Sequence, residues 1–306
     1  MKIFITGATG VIGRRLLPLL RRSGHAITAV ARSPAGRAQL ECQGATPGNV
    51  DLFDADAVRR AVGGHDAVVN LATHIPRSTG RMFLPWAWRE NDRLRRVASA
   101  TLIDACLAAD VGRFVQESFA PVYPDCADRW IDETTPIRPV RYNRSVADAE
   151  TAAERFANAG RTGVVLRFGA FYGSDAAQTA ELIKWVRKGW APLPGRADAF
   201  ISSVSHDDAA TAAAVAVTLP TGCYNVVDDE PVTHRAFVDT LADALHVAPP
   251  RLPSPRLTPL MGSLGRMAAR SVRIANGKIR AASDWVPKYP SVREGWAAVV
   301  AQLRAE

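Results

Sequence analysis

A short apolar strand that runs straight into three evenly spaced glycines constrains this chain more than any other feature. Residues 2–6, KIFIT, are β-branched or aromatic after the leading lysine. Gly7, Gly10 and Gly13 follow in the spacing G-x-x-G-x-x-G, and residues 11–20 read as a helix. Strand, glycine turn and helix together open a βαβ unit of the kind that holds a dinucleotide. Gly7 lets the chain turn tightly, Gly10 leaves room for a pyrophosphate, and Gly13 lets the helix pack close to the strand. The helix N-terminus adds unpaired N–H groups and a partial positive charge. Ala8, Thr9, Val11 and Ile12 fill the turn and are expected to lie along the same ligand.

Several function classes are excluded at once. No apolar run approaches the roughly 20 residues of a membrane span. The first strand begins at once, so no cleavable leader is expected and the cytoplasm is the expected compartment. Cys42, Cys106, Cys126 and Cys223 are scattered with no C-x-x-C pair, so they read as thiols. The six histidines show no metal-ligand spacing, and no metal is expected. The net charge is +8, but the arginines are spread along the whole chain. Clusters such as Arg93, Arg95 and Arg96 read as solvated helix faces, and neither nucleic acid nor a membrane is an expected partner.

The adenosine half of the ligand site is readable in part. A second strand, residues 26–31, ends in Arg32 and Ser33. A preference for NAD places Asp or Glu there, on the ribose hydroxyls. A guanidinium and a hydroxyl suit a 2′-phosphate instead, which favours NADP(H), with NAD(H) as the alternative. A third strand, 45–51, ends in Asp51 and Leu52, a carboxylate for the adenine amino group and an apolar side chain for the ring. Residues 54–62 read as a helix capped by Asp54. The fourth strand, 66–71, runs into Leu71, Ala72 and Thr73, which let the backbone pass beside the cofactor.

Residues 74–88 are irregular, with two prolines, a glycine and the pair Trp86 and Trp88. They follow a strand's carboxyl end, where open α/β sheets bind ligands. His74 and Trp88 are therefore candidate substrate contacts. A long helix, 90–109, a fifth strand, 113–118, a helix, 142–158, and a sixth strand, 162–168, complete the pattern.

TGATGVIG at 6–13, NLAT at 70–73, RFVQES at 113–118, Tyr142 at the start of a helix and LRFGAFYG at 166–173 resemble the extended and atypical short-chain dehydrogenase/reductases. The NAD(P)-dependent epimerase/dehydratase branch is the nearest in pattern. Residues 276–295, with Trp285, Pro287, Tyr289 and Pro290, resemble its C-terminal end. The resemblance implies a doubly wound parallel Rossmann sheet, nicotinamide cofactor binding along residues 7–13 and Phe168, and a small-molecule substrate. It also implies a tyrosine acid/base with a lysine four residues on.

The active-site pattern is degenerate here. Tyr142 matches the tyrosine, but four residues on stands Val146, which carries no charge. Arg144, two residues on, faces away in a helix. The resemblance places a serine four residues before the tyrosine of a V-Y element; counting from Tyr123 lands on Phe119, with Ser118 one residue early. Strand side chains alternate, so a shift of one reverses the face. Candidates for the missing chemistry are Glu117 and Ser118 beside Tyr142, with His74, Asp125, Asp132 and Glu133 as further groups, and Phe119 and Tyr123 as substrate contacts.

Residues 1–171 are expected to form the NAD(P)-binding domain and residues 172–306 a smaller α/β lobe, with 200–219 packing back on the first. In the lobe, 200–205 and 223–227 read as strands, 207–219, 233–245 and 260–269 as helices. Expected is an NADP(H)-binding enzyme acting on a carbonyl or carbinol small molecule, as reductase or epimerase and as a monomer or homodimer. The alternatives are a non-redox isomerase, dehydratase or cyclase, and an NADP(H)-binding sensor without activity.

Overall fold

The computed structural model describes residues 1–76 and 78–305. Its centre is a sheet of seven strands: β1 (Lys2–Thr6), β2 (Ala26–Val30), β3 (Thr46–Gly48), β4 (Ala67–Asn70), β5 (Arg113–Phe119), β6 (Thr162–Phe168) and β7 (Gly222–Val226). The order across the sheet is β7-β6-β5-β4-β1-β2-β3, and every pairing is parallel. Helices cover both faces, which is why β4, AVVN, is buried at each position rather than alternating. The strand order reverses between β1 and β4. The crevice above that point, outside the carboxyl ends of the strands, is where such sheets bind ligands.

The main helices are α1 (Gly13–Arg22), α2 (Pro34–Cys42), α3 (Ala55–Val62), α4 (Arg89–Arg93), α5 (Ser99–Ala108), α6 (Arg144–Asn158), α7 (Ala177–Arg187), α8 (His206–Val215), α9 (His234–Leu245) and α10 (Val292–Ala305). One core joins Leu16, Leu17 and Leu20 of α1 to Ala209, Ala210 and Ala213 of α8 against the sheet. The alanines let α8 approach closely. The opposite core joins Val58, Leu102, Phe114 and Phe156. A third lies in the C-terminal part, where Trp296 sits 5.0 Å from Tyr172 and 5.4 Å from Phe237, ring centre to ring centre.

Local chemistry sets the helix starts. Asp54 Oδ1 accepts from the Asp56 and Ala57 N–H groups at 3.0 Å, and Thr233 Oγ1 accepts from Ala236 N at 3.1 Å. Among the described residues no helix is long and apolar enough to cross a membrane.

Five elements differ from expectation. The third strand covers Thr46–Gly48 rather than 45–51, so Asp51 and Leu52 lie beyond its end. Residues 90–109 do not form one α-helix: α4 and α5 are joined by a π-helical turn, Leu94–Ala98. Residues 200–205 split into two strands. Phe200–Ile201 pairs antiparallel with Val232–Thr233, and Ser203–Ser205 pairs parallel with Ala170–Tyr172. Residues 260–269 begin in a 3-10 turn, Pro255–Met261, and become α-helical only at Gly262–Ala268. β7 is the edge strand of the main sheet, so that sheet draws on chain from both sides of residue 171.

Candidate active site

The glycine turn is tight for a physical reason. Gly7 has φ of 72°, and a Cβ there would stand 2.3 Å from the Leu71 carbonyl oxygen. A Cβ on Gly13 would stand 2.4 Å from the Gly7 carbonyl oxygen, so the start of α1 rests directly on the turn. At Gly10 a Cβ would meet just one atom within 4 Å, the Gly7 carbonyl oxygen at 3.2 Å, which leaves the outer side of the turn open. That open side faces a cavity of about 710 Å³, within the size range of cofactor sites. Gly7, Thr9, Gly10, Val11, Ile12 and Gly13 line one end of it. Leu71, which abuts the turn, Thr73 and Phe168 line it as well, and so do Glu117, Phe119, Tyr142, Trp88 and Arg95, which form its far end. Glycines at the turn, apolar walls and one continuous void fit a dinucleotide.

The expected adenosine contacts lie beyond this cavity, around the ends of β2 and β3. Ser33 Oγ accepts from Gly36 N at 3.1 Å and so caps α2, while a Cβ on Gly36 would lie 3.3 Å from Thr9. The capped end of α2 thus abuts the glycine turn. Arg32 is exposed beside it. Asp51 is exposed, its Oδ1 accepting from Phe53 N at 3.0 Å, and Leu52 is buried. Ala8 is wholly buried beneath the turn, and Ala72 is half-buried, its backbone N 2.8 Å from where a Gly7 Cβ would stand.

A row of buried polar side chains ties the strand ends together. Thr6 Oγ1 donates to Asn70 Oδ1 at 2.5 Å, and Asn70 Nδ2 donates to Gln116 Oε1 at 2.9 Å and to Ser99 Oγ at 3.2 Å. β1, β4, β5 and α5 are thereby held in register under the crevice.

At the far end Tyr142 sits in a 3-10 turn, Arg141–Asn143, just before α6. Its ring packs edge-on against Trp88, centroids 4.5 Å apart, and Trp88 Nε1 is fixed by the Met82 carbonyl at 2.8 Å. Burial holds the Tyr142 phenol above its ordinary range; Arg95 pulls against that shift and Asp92 adds to it. Glu117 and Phe119, two apart on β5, share the cavity face, as strand alternation requires. Arg95 Nη2 donates to Glu117 at 2.9 and 3.3 Å, and both side chains are buried. This corrects the reading of Arg93, Arg95 and Arg96 as a solvated cluster: Arg93 and Arg96 are exposed, Arg95 is not.

The sequence held a signal for Arg95. Asn91, Leu94, Arg95 and Ala98 are all buried, at the i, i+3, i+4, i+7 positions of one helix face. The arginine therefore sits on the inward stripe.

Other expected site residues lie elsewhere. Ser118 points to the opposite side of β5 from Glu117, where its Oγ donates to Glu150 Oε1 at 2.5 Å. Glu150 in turn accepts from Arg167 Nε at 2.8 Å and Nη2 at 2.6 Å. Tyr123 joins that buried network, donating to Asn225 Oδ1 at 2.9 Å and accepting from Arg167 Nη1 at 2.7 Å. A catalytic place for Ser118 and a substrate place for Tyr123 are accordingly set aside. His74 is exposed, and its backbone N–H is held by Asn91 Oδ1 at 2.9 Å. Asp125 and Asp132 accept from their own loops, and Glu133 accepts from Asn225 N at 2.7 Å. Val146 is wholly buried.

His206, at the start of α8, also lines the cavity. Its Nδ1 is hydrogen-bonded to Asp175 at 2.8 Å, and Asp175 also pairs with Arg14 and with Arg15.

The sequence pattern of the NAD dependent epimerase/dehydratase family matches residues 3–194. The chain belongs to that family. It is 33% identical over 310 residues to a protein named 3-diazoavenalumate denitrifying reductase from a Streptomyces species, an alignment covering 96% of this chain and 99% of that one. Human epimerase family protein SDR39U1, solved with NADPH, superposes with a TM-score of 0.82 at 21% identity, covering 99% of this chain and 100% of that one. DesIV, a dTDP-glucose 4,6-dehydratase from Streptomyces venezuelae solved with NAD and TYD, superposes with a TM-score of 0.81 at 20% identity, covering 100% and 98%. At such identities the two structures share the fold. The epimerase/dehydratase fold thus accounts for the seven-stranded sheet.

Proposed function

We propose that this chain is an NADP(H)-dependent reductase that acts on a small, planar molecule held between Trp88, Phe119 and Tyr142. One observation carries the reading: a single cavity runs from the glycine turn to Tyr142, so a cofactor laid along it ends beside a proton donor. The nicotinamide, when bound, supplies the hydride. Gly7–Gly13 would take the pyrophosphate, and Arg32 with Ser33 the 2′-phosphate. Support for the phosphate choice comes from the residue types at the end of β2 and from the NADPH in the human neighbour. Support for reduction comes from the name of the 33%-identical relative.

A second reading concerns the acceptor. Phe119 and Val146 stand where the family pattern has a hydroxyl and a lysine, two of the groups that activate a substrate oxygen. An acceptor that needs less activation suits such a site. An arenediazonium ion is one: hydride adds at nitrogen, dinitrogen leaves, and the ring keeps the hydrogen, so Ar–N₂⁺ plus hydride gives Ar–H plus N₂. The relative's name describes a denitrifying reduction of a diazo acid, and this chain is proposed to act on the same class.

Calorimetric titration of NADPH and NADH, on wild type and Arg32→Ala, tests the first reading. Tight NADPH binding that Arg32→Ala weakens selectively supports it; no binding of either nucleotide sinks it. NADPH consumption is then compared with 4-diazobenzoate and with 9,10-phenanthrenequinone as acceptors. Turnover of the quinone alone removes the diazo reading.

A further inference from the structure

Tyr142 lies among charged groups from several elements. Asp92 and Arg95 come from α4 and the π-helical turn after it, and Glu117 comes from β5. The same cavity is also lined by Arg14, Asp175 and His206, the first and last both tied to Asp175. Asp92 is occupied by Ser145 Oγ at 2.7 Å. Arg95 is different. Its side chain is 7% exposed, it lines the cavity, and Glu117 takes Nη2 alone. Arg95 Nε has no hydrogen-bond partner among the described residues. It is thus a buried cation with donor capacity in reserve, on the wall that also carries the phenol. It stands on a π-helical turn, a departure from α-helix that recurs at functional sites.

We propose that Arg95 is the positioning cation for Tyr142, in the place that the family pattern gives to a lysine four residues after the tyrosine, and that Glu117 holds it there. The inference rests on reading Tyr142 as the acid for an oxygen acceptor such as the quinone; the diazonium reduction consumes no proton. When the phenol gives up its proton, the O–H bond breaks and a bond to hydrogen forms at the substrate atom that has gained an electron pair. A phenolate is left facing Arg95, and water returns the proton. The guanidinium keeps its own protons throughout, so it acts by charge alone. Glu117 fixes the guanidinium and also screens it, which sets the two residues in opposition at the phenol.

That opposition supplies the test, and no substrate is needed for it. The chain has five tyrosines. Fluorinated tyrosine, whose phenol is more acidic, is incorporated throughout, and the Tyr142 ¹⁹F resonance is assigned by its loss in Tyr142→Phe. Its titration is followed in wild type, Arg95→Met, Arg95→Lys, Glu117→Gln and the double variant Arg95→Met/Glu117→Gln. Arg95→Met is expected to raise the Tyr142 pKa by about one to three units, the range for losing a nearby opposite charge. Glu117→Gln is expected to lower it, the double variant to raise it, and Arg95→Lys to leave it near wild type. General disturbance of the site would move Arg95→Met and Glu117→Gln the same way. Equal titration in wild type and in both Arg95→Met proteins, or shifts of one sign in both single variants, overturns the inference. The double variant strands no buried carboxylate and covers the case in which Arg95→Met does not fold. A wild type that binds neither nucleotide but shows these opposed shifts would sink the reductase reading and leave the pairing standing.

Discussion

Arg95 and Glu117 meet across the far end of the crevice, one from the π-helical turn before α5 and one from β5, with Arg95 Nη2 2.9 Å from Glu117 Oε1. Both side chains are about nine-tenths buried, so each has little solvent to replace a lost partner. A pair of this kind is costly to break from one side and cheap to remove whole, because the expense lies in the stranded charge.

Removing one partner is therefore expected to destabilise the fold by about 3–5 kcal/mol. Arg95→Met and Glu117→Gln each fall in that range, and the double variant falls well below the sum of the two. Urea unfolding of the four proteins measures this. Additive losses would show that the two side chains contribute independently.

Arg32 carries the expected choice of nucleotide. A charge-assisted hydrogen bond is worth about 1.5–3 kcal/mol, so Arg32→Ala is expected to weaken NADPH binding roughly 10- to 100-fold. NADH, which has no 2′-phosphate, is expected to change by less than about twofold. Equal weakening of both nucleotides in calorimetry would place Arg32 away from the phosphate.

Ser118 and Phe119 give opposite outcomes despite being neighbours. Ser118→Ala removes one donor from Glu150, which keeps two bonds from Arg167. The expected cost is about 1 kcal/mol of stability, with turnover unchanged. Phe119→Ser puts a hydroxyl on the cavity face and is expected to alter kcat. A loss of turnover in Ser118→Ala at full nucleotide binding would return that residue to the site.

The contrast shows what the sequence could reveal. β1, β4 and β6 were legible because buried parallel strands are largely apolar runs, and the glycine turn fixes where the first one ends. Glu117, Phe119, Trp88 and Tyr142 were legible as positions in a pattern. Ser118 was misread because one residue decides the face of a strand, and Glu117 and Ser118 could not both point inward. Arg95 was misread because its charge was weighed before its place on the helix stripe. The break at Ser202 and the pairing of β7 with β6 depend on partners far along the chain, which local pattern does not name.

His206 and His234 make stability depend on pH, with a sign that follows from their burial. Burial pushes His206 down to about 4, with Arg15 and Arg14 adding to the shift, and burial alone pushes His234 down to about 4. Both are neutral in the fold and titrate near 6.5 when unfolded. Between those values the unfolded chain binds more protons than the folded one, so stability rises with pH across the window. The contribution is whole above about pH 6.5 and is lost as the pH falls towards 4, up to about 3 kcal/mol for each histidine. Asp208 and Asp228, whose carboxyls burial holds above the ordinary range, slope the other way. The difference between variant and wild type is therefore the quantity to read. Urea unfolding from about pH 4.5 to 7.5 is expected to show a shallower fall on acidification in His206→Gln and in His234→Gln than in wild type. Parallel curves for all three proteins would mean that neither imidazole is held neutral by the fold.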